Sequence, residues 1–188
     1  MIENIINRTT VPPLKMTAPG PSPADLCRML EAAAAAPDHG RLVPWRYLVV
    51  SGTGREALGD LFASGIAAEK PDTSPAEIEK QRTAPMRAPL IIIAIGRIDA
   101  DHPKIPAIEQ IAAASASIQN LLLAAHSLGY AAKWATGAHA YSETVRRGLG
   151  IAAGDPILGI LYIGSPAQPH DPPARPDVES FSGIWPPT

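Results

Sequence analysis

Apolar positions along this chain form continuous runs in some places and spaced stripes in others, and each pattern predicts a different element. Residues 90–95 and 157–163 are continuous apolar runs, which predicts strands that are buried on both faces. Shorter segments at 47–50 and 131–136 predict two further strands. The sequence therefore predicts a sheet with at least two fully covered strands.

Helix-start signals and spaced apolar residues predict the helices. Ser22-Pro23-Ala24-Asp25 combines a capping serine, a proline in the first turn and an acidic third position. Ser74-Pro75 with Glu77 repeats this arrangement. The predicted helices cover residues 2–7, from 22 to before Pro37, 55–68, from 74 to near Pro85, 106–128 and 142–149.

The composition limits the class of protein. The 188 residues suit one domain over 1–188, and the net charge of -2 gives no electrostatic basis for binding nucleic acid or an acidic membrane surface. The longest apolar stretch, 111–123, is too polar to span a bilayer, and the first ten residues lack a secretion signal. Cys27 is the only cysteine, which excludes an intramolecular disulfide and fits a cytoplasmic location.

Other features indicate a subunit interface. Hydrophobic residues make up 46% of the chain, an excess that suggests a large apolar contact surface. Small residues at 112–116 would let another helix approach closely. The tail after Ser165 is rich in proline yet ends with Phe181, Ile184 and Trp185, so we expect it to wrap over a partner subunit.

The loop at 36–45, APDHGRLVPW, is the most informative segment for function. Two prolines and a glycine give it a stiff, sharply turned path. It carries an adjacent Asp38–His39 pair, Arg41 and Trp45 between a helix and a strand. Charged and aromatic side chains on a stiffened connection are typical of a binding loop.

This loop resembles that of the FMN-dependent nitroreductase family, and its Pro-Asp-His sequence points to the small NAD(P)H nitroreductase-like branch. Four further segments match the family in order: Asn7-Arg8-Thr9-Thr10, Trp134-Ala135-Thr136-Gly137, the strand at 157–164, and Arg175-Pro176. The resemblance implies an α+β fold with a mixed central sheet flanked by helices. It also implies an intertwined homodimer with two FMN sites at its interface.

The resemblance further implies an NAD(P)H-dependent oxidoreductase that works in two half-reactions. NADH or NADPH gives hydride to flavin N5 and leaves, and a small electron-poor acceptor such as a nitro compound or quinone then takes it. The family also includes enone reductases and dehydrogenases, and the sequence does not choose among them. A flavin-binding or interaction protein with little turnover is another alternative.

For the cofactor phosphate, the resemblance implies binding by Arg8, Thr9 and Thr10. A guanidinium can pair with a phosphate through two hydrogen bonds, and hydroxyls can add more. Thr9 stands where the family usually has a second arginine, so one charge is missing. Arg175 matches a basic residue of the family's C-terminal stretch and is the natural compensation.

For the flavin ring, the resemblance implies contacts from His39 and Arg41, with His39 reaching it from the neighbouring subunit. Val43 stands where the family often has a hydrogen-bonding glutamine. Trp134, Ala135, Thr136 and Gly137 match the segment that lines the ring, although the branch often has arginine at the position of Ala135. No residue is required as an acid or base, although His39 is a possible proton donor.

Other candidate signals are weaker. The segment 52–57 fits a dinucleotide-binding pattern, but no acidic residue follows at the end of a second parallel strand, so we interpret it as an ordinary strand-to-helix turn. A dehydrogenase that binds NAD there stays an alternative. His126 and Ser127 fall where the branch is expected to place the nicotinamide, but we interpret them as helix-face packing. The other histidines have no metal-ligand spacing, so we predict no metal: His102, His139 and His170.

Overall fold

The computed structural model describes residues 2–186, and residues 1, 187 and 188 of the expected domain lie outside it. Within that range the chain forms seven α-helices and five β-strands. The helices are α1 Ile2–Asn7, α2 Pro23–Ala34, α3 Gly54–Glu69, α4 Pro75–Arg82, α5 Ala107–Ser127, α6 Gly137–Ala140 and α7 Glu143–Gly148. The strands are β1 Met16–Thr17, β2 Trp45–Ser51, β3 Leu90–Gly96, β4 Ala131–Ala135 and β5 Ile157–Pro166.

The expected α+β fold is confirmed, but the sheet is antiparallel in every described strand pair rather than mixed. The strand order is β2-β3-β5, with β1 and β4 also paired to β5. The segment between β2 and β3 begins and finishes at the same end of the sheet, because Ser51 at the end of β2 pairs with Leu90 at the start of β3. In a parallel pair, the connection would have to carry the chain back to the opposite end of the sheet.

The sheet separates two apolar cores, which explains the continuous apolar run in β3. All seven residues of this strand are buried. Ile91 and Ile93 join Phe62 of α3 on one face, whereas Ile92 joins Met29 of α2 on the other. Successive side chains of a strand point to opposite faces, so only a strand covered on both sides can be apolar throughout.

Serine caps begin the helices where the sequence predicts them. The Ser22 hydroxyl oxygen accepts from the backbone N–H of Asp25 at 3.1 Å, and Ser74 and Ser142 accept in the same way at the starts of α4 and α7. Each cap satisfies a backbone N–H that has no partner inside its helix.

The segment 52–57 forms an ordinary turn between β2 and α3. Because β2 pairs only antiparallel with β3 within the described chain, the parallel strand-helix-strand unit of a dinucleotide-binding fold is not formed there. Among the helices that the structure describes, none has the length and apolar character needed to cross a membrane.

Candidate functional site

Two guanidinium groups lie near each other where the N-terminal segment passes the C-terminal tail. Arg175 donates to the backbone carbonyls of Ile6 at 2.9 Å and of Arg8 at 2.6 Å. Burial, and then the charge of Arg175, lower the pKa of Arg8. Within residues 2–186, neither arginine has a carboxylate at ion-pair distance. Two neighbouring cations without a counter-ion favour the binding of an anion.

The residues that follow Arg8 are held against β4. The backbone N–H of Val11 donates to the carbonyl of Ala132 at 3.1 Å. Thr9 is partly buried and lines a pocket with His126 at the end of α5, whereas Thr10 is exposed. The structure thus brings Arg8, Thr9 and Arg175 together near the start of β4. This set of guanidinium and hydroxyl donors fits a phosphate group.

Trp134 is anchored in the core by the pyrrole edge of its indole ring. Its indole N–H donates to the carbonyl of Leu158 at 2.8 Å, and the ring packs over Gly159 of β5. Ala135, the next residue, packs with the core on the opposite face of the sheet. The indole N–H therefore already donates within the protein, and a ligand could contact Trp134 only through the surface of its ring.

The surface available to a ligand at this end of β4 lies at Thr136 and Gly137, both of which are exposed. Gly137 has a φ of 60°, which favours glycine, and open space surrounds the position that a Cβ would occupy. Residues 131 and 136 are about 16 Å apart at the rise of a strand. The cationic group at one end of β4 and the open backbone at the other thus lie at the spacing of an elongated ligand.

Helix α6 follows this segment directly and is too short to be predicted from sequence periodicity. His139 holds it in place by stacking on Phe62, with ring centroids 3.9 Å apart and planes 5° from parallel. Its Nε2 lies 2.8 Å from Oε1 of Gln81. Burial lowers the pKa of His139, although the charge of Glu69 opposes the shift.

This pKa direction predicts that the protein loses stability in mild acid. The unfolded chain binds a proton at His139 near pH 6.5, whereas the folded chain resists it, so the free energy of unfolding falls as the pH drops below about 6.5. We expect the melting temperature of the wild type to fall more between pH 7 and 5 than that of His139→Phe, which keeps an aromatic stack but cannot be protonated. Equal falls in the two proteins would contradict this role.

The loop at 36–45 is strained and internally bonded. Gly40, Arg41 and Val43 have φ values of 76°, 56° and 50°, and a positive φ is costly for the last two. The carboxylate of Asp38 accepts from the backbone N–H of Val43 at 2.7 Å, which stabilises the turn. Such strain indicates that the loop shape serves function rather than simple connection.

His39 and Arg41 are not brought to the Arg8 site within one chain. Nδ1 of His39 lies 2.7 Å from the Glu109 carboxylate in the first turn of α5, and the imidazole is 65% exposed. His126, beside Arg8, lies in the last turn of the same helix, about 25 Å away at 1.5 Å per residue. The pairing of His39 with Glu109 joins a loop position and a helix position that no sequence motif connects.

The fold and these sites define an α+β chain with two neighbouring cations at one end of β4 and an open backbone at the other. Residues 6–165 match the model of the nitroreductase family. The chain belongs to the nitroreductase family, which confirms the resemblance.

Individual relatives agree with this assignment. The chain is 36% identical over 166 residues to the protein named "Putative NAD(P)H nitroreductase YdjA" of Escherichia coli K12, covering 88% of this chain and 87% of that protein. A nitroreductase-like family protein from Bacillus cereus superposes with a TM-score of 0.84 at 25% identity, covering 98% and 95% of the two chains. A structure of the FMN and NADPH-dependent nitroreductase NfnB, from a Sphigopyxis strain, shares the fold with a TM-score of 0.76 at 20% identity and covers 98% of both chains.

Proposed function

We propose that this chain is an FMN-dependent NAD(P)H oxidoreductase that passes hydride in two half-reactions to a small electron-poor acceptor, such as a nitro compound or quinone. The observation that carries the proposal is the pair of cations Arg8 and Arg175, which lie together beside Thr9 with no carboxylate of residues 2–186 at ion-pair distance. A relative named as an NAD(P)H nitroreductase, and a structural neighbour titled as FMN and NADPH-dependent, support the choice of cofactor and donor.

Bound FMN would supply reversible two-electron chemistry at its ring, and the protein would supply binding and orientation. Arg8 and Arg175 would pair with the phosphate, and the hydroxyls of Thr9 and Thr10 would donate to it. The exposed backbone of Thr136 and Gly137 would meet the ring at the far end of β4, where a backbone N–H can donate to the flavin. Trp134, fixed by its bond to Leu158, would keep this segment in position.

We propose that the active form is a homodimer, because large apolar side chains stay exposed in the single chain. On α1 these are Ile2, Ile5 and Ile6. In the tail, Phe181, Ile184 and Trp185 are exposed to 67%, 84% and 88%. An apolar groove between α1, α2 and α5 adds to this surface. A second copy would bury these groups at the scale expected of an obligate interface.

A homodimer also explains why His39 and Arg41 lie far from Arg8. The distance of about 25 Å along α5 prevents one chain from placing both groups on one flavin. Each site would then combine Arg8 and Arg175 of one chain with His39 and Arg41 of the partner subunit. The exposed guanidinium of Arg41 could stabilise negative charge on the reduced ring.

Mixing two defective proteins tests this shared site. If Arg8 and Arg41 act on the same flavin from different chains, a heterodimer of Arg8→Ala and Arg41→Ala has one intact site and one doubly defective site. Refolding an equal mixture should restore about a quarter of the wild-type activity, since half of the dimers are mixed and half of their sites are intact. Each variant alone is the control. A mixture no more active than either variant would contradict the shared site.

Turnover is tested by anaerobic addition of NADPH or NADH to the FMN-loaded protein. The proposal predicts that the flavin absorption bleaches and returns when a nitroaromatic compound or quinone is added. Bands that persist with both donors would instead favour a flavin-binding protein with little turnover. Val43 is compatible with that second function, because its exposed side chain offers no hydrogen bond to the flavin edge.

We further propose that residues 1–188 act as one domain in the cytoplasm. Both cores lie against the same sheet, which supports one folding unit. The single cysteine supports a reducing compartment.

A further inference from the structure

His170 in the C-terminal tail has one ring nitrogen that lacks a hydrogen-bond partner among the described residues. Its Nδ1 lies 2.9 Å from the carbonyl oxygen of Gln168, and because a carbonyl only accepts, Nδ1 carries the proton. Among the described residues, its Nε2 is buried and has no hydrogen-bond partner. A buried polar atom of this kind costs free energy unless a bound molecule satisfies it.

The pocket that His170 lines includes Thr9, the residue that follows Arg8. Thr9 and Val11 form one wall, His126 and Tyr130 a second, and the tail residues a third. The charge of Arg8 reaches this pocket, because burial and then that charge lower the pKa of His126. The Tyr130 hydroxyl points away to Asp25 at 2.8 Å, and no carboxylate belongs to the described lining.

We propose that His170 is a further phosphate-binding residue, which takes up a proton at Nε2 and donates it as a hydrogen bond to the FMN phosphate. The assignment rests on the proposed function. A dianionic phosphate stabilises an imidazolium, so binding of the ligand and uptake of the proton favour each other. His170 thereby supplies a charge that Thr9, unlike an arginine, does not provide.

The test compares the dissociation constants of FMN and riboflavin, measured by quenching of flavin fluorescence at about pH 6 and about pH 8.5. His170→Asn retains a short donor for the Gln168 carbonyl but removes Nε2. We expect this variant to bind FMN about tenfold more weakly than the wild type at the lower pH and within about twofold of it at the higher pH. Riboflavin, which has no phosphate, should bind both proteins equally. At each pH, the dissociation constant of the variant is divided by that of the wild type. This ratio removes the effect of titrating the phosphate and His126, which both proteins share.

Two further variants make the test specific. His170→Arg carries a permanent charge and should bind FMN well at both pH values. His102→Asn makes the same change in a histidine outside the pocket, where an amide oxygen can replace Nδ1 as acceptor for the N–H groups of Lys104 and Ile105, and it should match the wild type. An unchanged FMN affinity in His170→Asn, or an equal loss for riboflavin, would overturn the assignment while leaving FMN binding intact. A wild type that binds no FMN at either pH would overturn the proposed function as well.

Discussion

Arg8→Ala is expected to weaken FMN binding by about 100-fold. Charge-assisted hydrogen bonds contribute about 1.5–3 kcal/mol each, and a bidentate pair with phosphate gives two of them. Since each 1.4 kcal/mol is tenfold in affinity, the loss of about 3 kcal/mol gives this factor. Fluorescence titration with FMN measures it directly.

The same substitution should not harm the protein without ligand. Arg8 lies beside Arg175, so its removal relieves repulsion between like charges, and the melting temperature without FMN should stay equal or rise. The rise in melting temperature on adding FMN should be lost. Arg28→Ala on α2, an exposed arginine with no described ion pair, is the control. The FMN affinity of Arg8→Lys should lie between those of the wild type and Arg8→Ala, since an ammonium cannot bind phosphate bidentately. Full FMN occupancy in Arg8→Ala would show that the phosphate lies elsewhere.

Of the substitutions that add a single methyl group near the site, Gly159→Ala is expected to lower the melting temperature most. The new Cβ would lie closest to the indole nitrogen of Trp134, 2.7 Å from Cδ1 and 3.3 Å from Cε2. The indole would have to leave its bond to Leu158, and overpacking of this kind costs about 1–3 kcal/mol. For a chain of this size we expect the melting temperature to fall by about 3–10 °C.

Gly154→Ala is the matched control for this prediction, because no atom lies within 4 Å of the position that its Cβ would occupy and its φ is not positive. It should leave the melting temperature nearly unchanged. Trp134→Leu should partly rescue Gly159→Ala by removing the clash, so the two substitutions should be less harmful together than their sum. If the falls in melting temperature of the two single variants simply add in the double variant, the indole does not clash with a Cβ at position 159.

The sequence predicted those elements whose signals are local. The continuous apolar run predicts a strand over 90–95, and in the structure both faces of β3 are covered. Ser22 and Ser74 cap helices as their motifs predict. The local pattern does not predict the extension of β5 to Pro166, because that extension depends on pairing with Met16 and Thr17, which are distant in sequence. Nor does it predict helix α6, because four residues carry no periodicity.

The candidate site was predictable only in part for the same reason. Residue types identified Arg8 and Arg175 as cations, but only the folded chain shows that they meet. The distance of His39 from Arg8 follows from the length and direction of α5, which no motif specifies. The antiparallel pairing depends on the end of the sheet at which each connection brings the chain back. The unpartnered Nε2 of His170 depends on the path of a tail that has no periodic pattern. Tertiary contacts of this kind are not encoded in local sequence patterns.

Titration of the purified protein with FMN, followed by its visible absorption and by the stoichiometry of binding, tests the proposed flavin site more directly than any variant. We predict flavin bands at about 450 nm and one FMN bound per chain. A colourless protein that cannot be loaded with FMN would contradict the proposed site, and the Arg8–Arg175 pair would then need another anion.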